Sequence, residues 1–225
     1  MRIFIALAAS LALSPAFGAN LLTNGDFESP AVGNSYALYG NGSTAITGWT
    51  VVDPLNAGGI ALQPSSQYSS LGVVAYQGAQ FVDLTGVTGQ GKGLLSDVVS
   101  TTVGGKYQLS FALGEFWVLG AGTFGTAAVD VTINGVSQGS FINPISLTAP
   151  GTDWQVQTLQ FTANSGSTRI QITNLTGPGY SNLGTGLDAV SLQSVSAPVP
   201  EAATWALMLA GLCFCGFLTV RHRSS

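Results

Sequence analysis

Between residues 20 and 197 apolar and polar positions alternate with a period of two. No segment of that stretch carries the 3.6-residue period of an amphipathic helix. Tyr107, Leu109, Phe111 and Leu113 fall on one face of an extended chain, with Gln108, Ser110 and Ala112 on the other. Val129, Val131 and Ile133 alternate with Asp130 and Thr132, then run into Asn134-Gly135. That dipeptide predicts a hairpin, because both residues accept the positive φ of a tight turn. Ile170 and Ile172 alternate with Arg169, Gln171 and Thr173, and Val190 and Leu192 close the pattern with Asp188 on their face. From Trp154 to Ala163 the apolar set changes parity between Val156 and Leu159, which predicts a bulge. Glycine-rich breaks such as Gly89-Gln90-Gly91 and Gly184-Thr185-Gly186 separate the runs. Many short alternating strands divided by turns predict an all-β chain folded as an antiparallel β-sandwich.

The two ends depart from this pattern. After Arg2, Ile3 to Leu13 is apolar apart from Ser10, Ser14-Pro15 breaks the run, and Ala16 and Gly18 are the small residues of a cleavage site. This predicts a secretory signal peptide over residues 1–19, too short in its apolar part to span a bilayer. At the other end, Trp205 to Val220 holds nothing more polar than Thr219. Counted from Ala202, the run reaches the ~20 residues that ~30 Å of hydrocarbon requires. Arg221 and Arg223 then mark the cytoplasmic side. The expected organisation is a signal peptide (1–19), a sandwich domain (20–193), a spacer (194–201), a transmembrane helix (202–220) and a basic tail (221–225). The domain is expected outside the inner membrane, with the C-terminus inside.

Composition narrows what the domain can do. Charged residues are 7% of the chain, against roughly a quarter in ordinary soluble domains. Residues 20–197 hold nine acids and three bases, Lys92, Lys106 and Arg169. Nucleic acid is excluded, because phosphate binding needs clustered cations. A surface of hydroxyls and amides suits neutral partners such as glycans. Cys213 and Cys215 both lie in the C-terminal apolar run, so the exported domain has no disulfide. No histidine occurs between residues 20 and 197, which removes Ser-His and Cys-His nucleophilic schemes. Glu28, Asp97, Glu115, Asp130 and Asp153 are carboxylates from which a glycosidase pair could be drawn, but no spacing singles out two of them. The expectation is a chain that is not an enzyme.

Two resemblances sharpen this reading. Val199-Pro200-Glu201-Ala202, followed by an apolar helix and a basic end, resembles the PEP-CTERM sorting signal of bacterial envelope proteins. Ala202 stands where that motif has its second proline. The resemblance implies an exosortase-type membrane protease as partner, and release to the cell surface or extracellular matrix.

"NLLTNGDFESP" (Asn20–Pro30), "ITGWTV" (Ile46–Val51), "GAQFVDLTG" (Gly78–Gly86), "GGKYQLSFALG" (Gly104–Gly114) and "GLDAVSLQ" (Gly186–Gln193) occur in the order seen in galactose-binding-like domains. The group includes carbohydrate-binding modules, and the resemblance implies a jelly-roll β-sandwich with adjacent chain ends. It also implies one structural calcium ion, held by Glu28, Asp188 and the Gly25 carbonyl. Ala189 stands where relatives carry a further ligand.

Glycan binding needs aromatic platforms beside hydrogen-bonding groups. Glu115 and Trp117 form the best local cluster, with Tyr36 and Tyr39 in an early glycine-rich loop as further candidates. Trp49 reads as core. The expected function is a surface or matrix protein that binds envelope or exopolysaccharide glycans. The alternatives are adhesion or self-assembly through protein contacts and, third, polysaccharide hydrolysis.

Overall fold

The computed structural model describes residues 16–86, 92–118, 126–145, 147–176 and 183–196. Residues 1–15 of the expected signal peptide, the expected sorting motif Val199–Ala202, and the segments expected to form the transmembrane helix and basic tail lie outside the described residues. Among the described residues no helix is long and apolar enough to cross a membrane.

The strands in chain order are β1 (Ala16–Phe17), β2 (Ala37–Tyr39), β3 (Trp49–Val52), β4 (Ile60–Pro64), β5 (Gln80–Asp83), β6 (Gly93–Ser96) and β7 (Val99–Ser100). They continue with β8 (Lys106–Trp117), β9 (Ala127–Ile133), β10 (Val136–Asn143), β11 (Gly151–Thr162), β12 (Ser167–Thr168), β13 (Ile170–Asn174) and β14 (Leu183–Ser196). A single-turn helix α1 (Ser65–Tyr68) and a 3-10 turn (Ser69–Leu71) connect β4 to β5. Gly18–Ser194 forms one compact unit. In a second unit, which comprises Met1–Phe17 and Val195–Ser225, Ala16 pairs with Ser196 and Phe17 with Val195.

The large unit is an antiparallel sandwich. One sheet has the order β11-β8-β14-β5-β4-β2, the other β10-β9-β13-β6-β3, and β7 and β12 form a short separate pair. The alternation read from sequence becomes burial directly. Tyr107, Leu109, Phe111 and Leu113 of β8 meet Val129, Val131 and Ile133 of β9 and Ile170 and Ile172 of β13 in one core, joined by Trp49, Leu94, Leu187 and Leu192. The Asn134-Gly135 turn takes φ of 50° and 79° and sets Val136 opposite Ile133. Each fully buried aliphatic or aromatic side chain contributes about 1.5–3 kcal/mol, so this shared core is what holds the sheets together.

Two expectations about strand faces change. β11 pairs with β8 in unbroken register from Gly151 opposite Trp117 to Thr162 opposite Lys106, so the predicted bulge after Val156 is absent. The parity change reflects two apolar faces instead. Leu159 and Phe161 pack on the core between the sheets, whereas Trp154 belongs to a second cluster with Val73, Phe81, Phe116 and Val118. That cluster also takes in Tyr68 and Leu71 from the segment after β4. The bulge lies in β14 instead, where register shifts between Asp188 and Ser191 and Ala189 adopts φ 48°. Leu187, Val190 and Leu192 therefore keep the core face, while Asp188 turns to bond the backbone at Gln77.

Candidate functional site

The strand order sets Glu115 and Trp117 at one end of the sandwich. Both lie in the last turn of β8's core-facing phase, after Leu109, Phe111 and Leu113, where the sandwich core gives way to polar groups. Glu115 stands opposite Asp153 on β11 and Thr185 on β14. It is only 3% exposed, and among the described residues its Oε2 meets no hydrogen-bond donor. Burial raises its pKa from the ordinary 4.5 to about 7; a hydrogen bond from the Leu147 backbone lowers it and the Asp153 charge raises it further. The carboxyl thus protonates more readily than an exposed glutamate, and in its protonated form it donates a hydrogen bond as well as accepting one.

A polar frame holds this end of the sandwich together. Asn143, at the end of β10, donates from Nδ2 to the carbonyls of Leu113 (3.0 Å) and Asp153 (3.1 Å), tying the second sheet to the first. Thr185 donates from its backbone N–H to Thr85 Oγ1 (2.8 Å) and from its hydroxyl to Thr176 Oγ1 (2.9 Å). Thr176 Oγ1 in turn accepts from the Ala128 N–H at 3.1 Å. A fixed frame of this kind is what a binding carboxyl needs to keep its direction.

The tyrosines do not join Glu115 and Trp117. Tyr39 lies in the same cross-sheet row, opposite Ile60, but β2 is the fourth strand from β8, about 19 Å away at ~4.8 Å per strand. It packs against the core, and burial raises its pKa. Tyr36 is 47% exposed near the opposite end, where its N–H donates to Gln67 Oε1 at 2.8 Å. The predicted set is thus one pair and two separate side chains. Trp49 is 1% exposed in the core, its Nε1 donating to the Asn24 carbonyl at 3.1 Å.

Glu28 and Asp188 do converge. Glu28 Oε1 accepts from the Ala79 and Gln80 N–H groups at 2.8 and 3.1 Å, and Asp188 Oδ2 accepts from Gln77 N–H at 2.9 Å. Both carboxyls thus grip one short segment. Burial raises the pKa of Asp188 to about 7 against hydrogen bonds from Gln77, Ala189 and Tyr76, and the Glu28 charge adds to the rise. A cation between them would relieve that repulsion. The Gly25 carbonyl accepts the Val190 N–H at 2.7 Å and keeps a second lone pair. An open cleft of about 340 Å³, lined by Asn24, Gly25, Asp26, Gln77 and Ala189, leaves space for further oxygen ligands and water. Among the described residues no three His, Cys, Asp or Glu side chains cluster, so backbone and water oxygens would supply the rest of the shell. On those terms the residues fit a hard cation.

A further polar group was missed from sequence. Asp53, Lys92 and Asn174 are all buried, at 1%, 0% and 1% exposure. Their signal was phase: each continues the core-facing alternation of its strand, after Val51, before Leu94 and after Ile172.

Residues 20–193 match the DUF642 family, described as protein of unknown function, and the chain belongs to that family. No curated protein matches the chain. Among solved structures, the fold is similar to the Stig cyclase Fisc from Fischerella sp. TAU, with 18% identity, a TM-score of 0.59, 82% of this chain and 100% of that chain covered. A second cyclase structure from Fischerella sp. TAU covers 82% of this chain and 99% of that chain, with 16% identity and a TM-score of 0.57. A family 35 carbohydrate-binding module from Clostridium thermocellum gives 18% identity and a TM-score of 0.40, covering 70% of this chain and 97% of that chain. The cyclases correct the expectation that the chain is not an enzyme. Their sandwich is shared with enzymes, so this fold does not argue against catalysis.

Proposed function

We propose that this chain is an exported surface or matrix protein whose galactose-binding-like sandwich binds a neutral glycan at its loop-bearing end, through Glu115 and Trp117. The observation that carries the reading is the Glu115 carboxyl, buried yet with Oε2 lacking a donor among the described residues. A buried polar atom without a partner costs about 1–3 kcal/mol, which a ligand hydroxyl would recover. A carboxyl whose pKa burial raises can, once protonated, both give and take hydrogen bonds, as sugar hydroxyls do. Trp117, on the same face two residues on, supplies an apolar surface for the C–H face of a sugar ring. The low charge of residues 20–197 favours a neutral partner over an ionic one.

Export is supported by the apolar segments near both ends. In this reading Val199-Pro200-Glu201-Ala202 is the site of exosortase-type sorting. The chain would be held in the inner membrane by residues 202–220 before release. One calcium ion, on Glu28, Asp188 and the Gly25 carbonyl, would pin the first and last parts of the sandwich.

A second reading has the same carboxyl as its basis. A carboxyl whose pKa burial raises is suited to act as a general acid, which would alter a bound ligand as well as hold it. Affinity electrophoresis in gels containing neutral polysaccharides tests the binding reading: wild type is retarded and Glu115→Gln and Trp117→Ala run as in a blank gel. Analysis of the same polysaccharide for new reducing ends, lost in Glu115→Gln, identifies the catalytic one.

A further inference from the structure

In the smaller sheet β6 lies between β3 and β13. Gly93 stands opposite Val52 on one side and Thr173 on the other. The next residues outward, Asp53, Lys92 and Asn174, therefore form one row across three strands. The row is joined on one side by the Asn174 N–H donating to the Lys92 carbonyl at 2.7 Å. All three side chains sit in the core-facing phase and are 1% exposed or less.

The three bring an amine, a carboxamide and a carboxyl together away from water. The Asn174 amide is held by one end only: Oδ1 accepts the Thr176 N–H at 3.0 Å, while Nδ2 has no partner among the described residues. Asp53 is held in the same way, with Oδ2 accepting the Gly59 N–H at 2.9 Å and Oδ1 unpartnered among the described residues. Lys92 Nζ donates to the Thr85 carbonyl at 3.0 Å.

We propose that Lys92 and Asn174 become joined by an intramolecular isopeptide bond, with Asp53 carrying the proton between them. Opposed residues on antiparallel strands have Cα atoms about 5 Å apart, a gap that a lysine side chain spans by rotation about its own bonds. The Lys92 amine attacks Asn174 Cγ, and the oxygen that takes up the electron pair is Oδ1, already facing the Thr176 N–H. Asp53 accepts the proton lost from Nζ and returns it to Nδ2, which leaves as ammonia when the carbon–nitrogen bond breaks. The products are one new amide and one ammonia, with no oxidant or cofactor required. Burial lowers the Lys92 pKa, against the charges of Asp53 and Asp83, and so favours the neutral, nucleophilic amine. In a domain without cysteine, the bond would close the chain from residue 92 to 174, restricting the unfolded state as a disulfide does.

Mass spectrometry of the purified protein, intact and after proteolysis, decides the matter. Loss of ammonia makes the chain about 17 Da lighter than its sequence, and the peptides holding Lys92 and Asn174 elute as one branched species. Lys92→Arg and Asn174→Ala restore the unmodified mass, and Asp53→Asn leaves most chains unlinked. Wild-type protein at its unmodified mass, with the two peptides recovered separately, overturns the proposal without reference to any variant's folding. A loss of about 18 Da with Lys92 joined to an aspartate overturns Asn174 as the partner. Full linkage in Asp53→Asn overturns the proton carrier. None of these outcomes depends on the glycan reading.

Discussion

The indole of Trp154 lies across its cross-strand partner, Gly114. A Cβ at Gly114 would stand 2.6 Å from Trp154 Cε3, and one at Gly186, the next strand over, 2.8 Å from Cη2. Two paired glycines thus make a flat floor in the sheet, and the ring fills it. Phe81 meets the ring edge-on with centroids 5.4 Å apart, and Trp154 Nε1 donates to the Val74 carbonyl at 2.9 Å. This anchors the segment between β4 and β5, whose backbone at Gln77, Ala79 and Gln80 holds Asp188 and Glu28.

Removing the ring should therefore weaken the fold and loosen the Glu28–Asp188 region together. Trp154→Ala is expected to cost about 3–5 kcal/mol in urea unfolding, the usual loss for a large aromatic. Gly114→Val forces the ring off the sheet and should cost about 2 kcal/mol or more. Amides at Ala79 and Gln80 should exchange hydrogen faster in both variants. Wild-type stability in Gly114→Val would show that the floor is not needed.

Stability should fall as pH rises from acid to neutral. Asp83 and Glu115 titrate at about 7 in the folded chain, from ordinary values of 3.8 and 4.5, with burial the main cause for each. The folded state then holds more protons than the unfolded one over that interval, so its stability declines with each step of pH. The contribution is complete below the ordinary carboxylate range and gone above about 7. Urea midpoints measured between pH 5 and 8 should drop for wild type and drop less steeply in Asp83→Asn and in Glu115→Gln, each of which removes one of the three raised carboxyls, Asp188 being the third. A midpoint that rises through this range in wild type and variants alike would contradict the assignment.

Calcium should raise the melting temperature of chelator-treated protein by about 5 °C or more, because a ligand held only by the folded chain stabilises it. Glu28→Gln should remove most of that gain while leaving the calcium-free melting point close to wild type. No shift in wild type with millimolar calcium would mean that the two carboxyls serve only the backbone of the 77–80 segment.

Much of the sandwich was legible because alternation maps onto burial: β9 and β13 follow their apolar positions residue by residue, as β8 does from Lys106 to Phe111, beyond which both its faces are covered. The Asn134-Gly135 hairpin was equally plain, since its turn chemistry is local. Asp188 was assigned to the wrong face because a single left-handed residue, Ala189, reverses parity and alanine gives no warning of it. Trp154 suggested a bulge because sequence alone does not reveal a second apolar face, which forms only when the chain after β4 folds over the sheet. Glu115 and Trp117 were singled out by their residue types, and the strand register keeps them on one face. Tyr36 and Tyr39 were grouped with them as candidates for the same chemistry, yet strand order separates them. The row Asp53–Lys92–Asn174 escaped notice because charged residues at strand ends normally reach solvent. Here Lys92 Nζ donates to the Thr85 carbonyl and the Thr176 N–H donates to Asn174 Oδ1, so these polar groups find partners inside the protein.

The most direct measurement of the central claim is titration of the purified domain with neutral polysaccharides, followed by amide and indole NMR shifts. Binding should move the Trp117 indole signal and the amides around Glu115 and Thr185, leave Tyr36 unmoved, and weaken at least tenfold in Glu115→Gln. Saturable binding that shifts only residues around Tyr36, or that keeps full affinity in Glu115→Gln and Trp117→Ala, would place the glycan elsewhere and contradict the account.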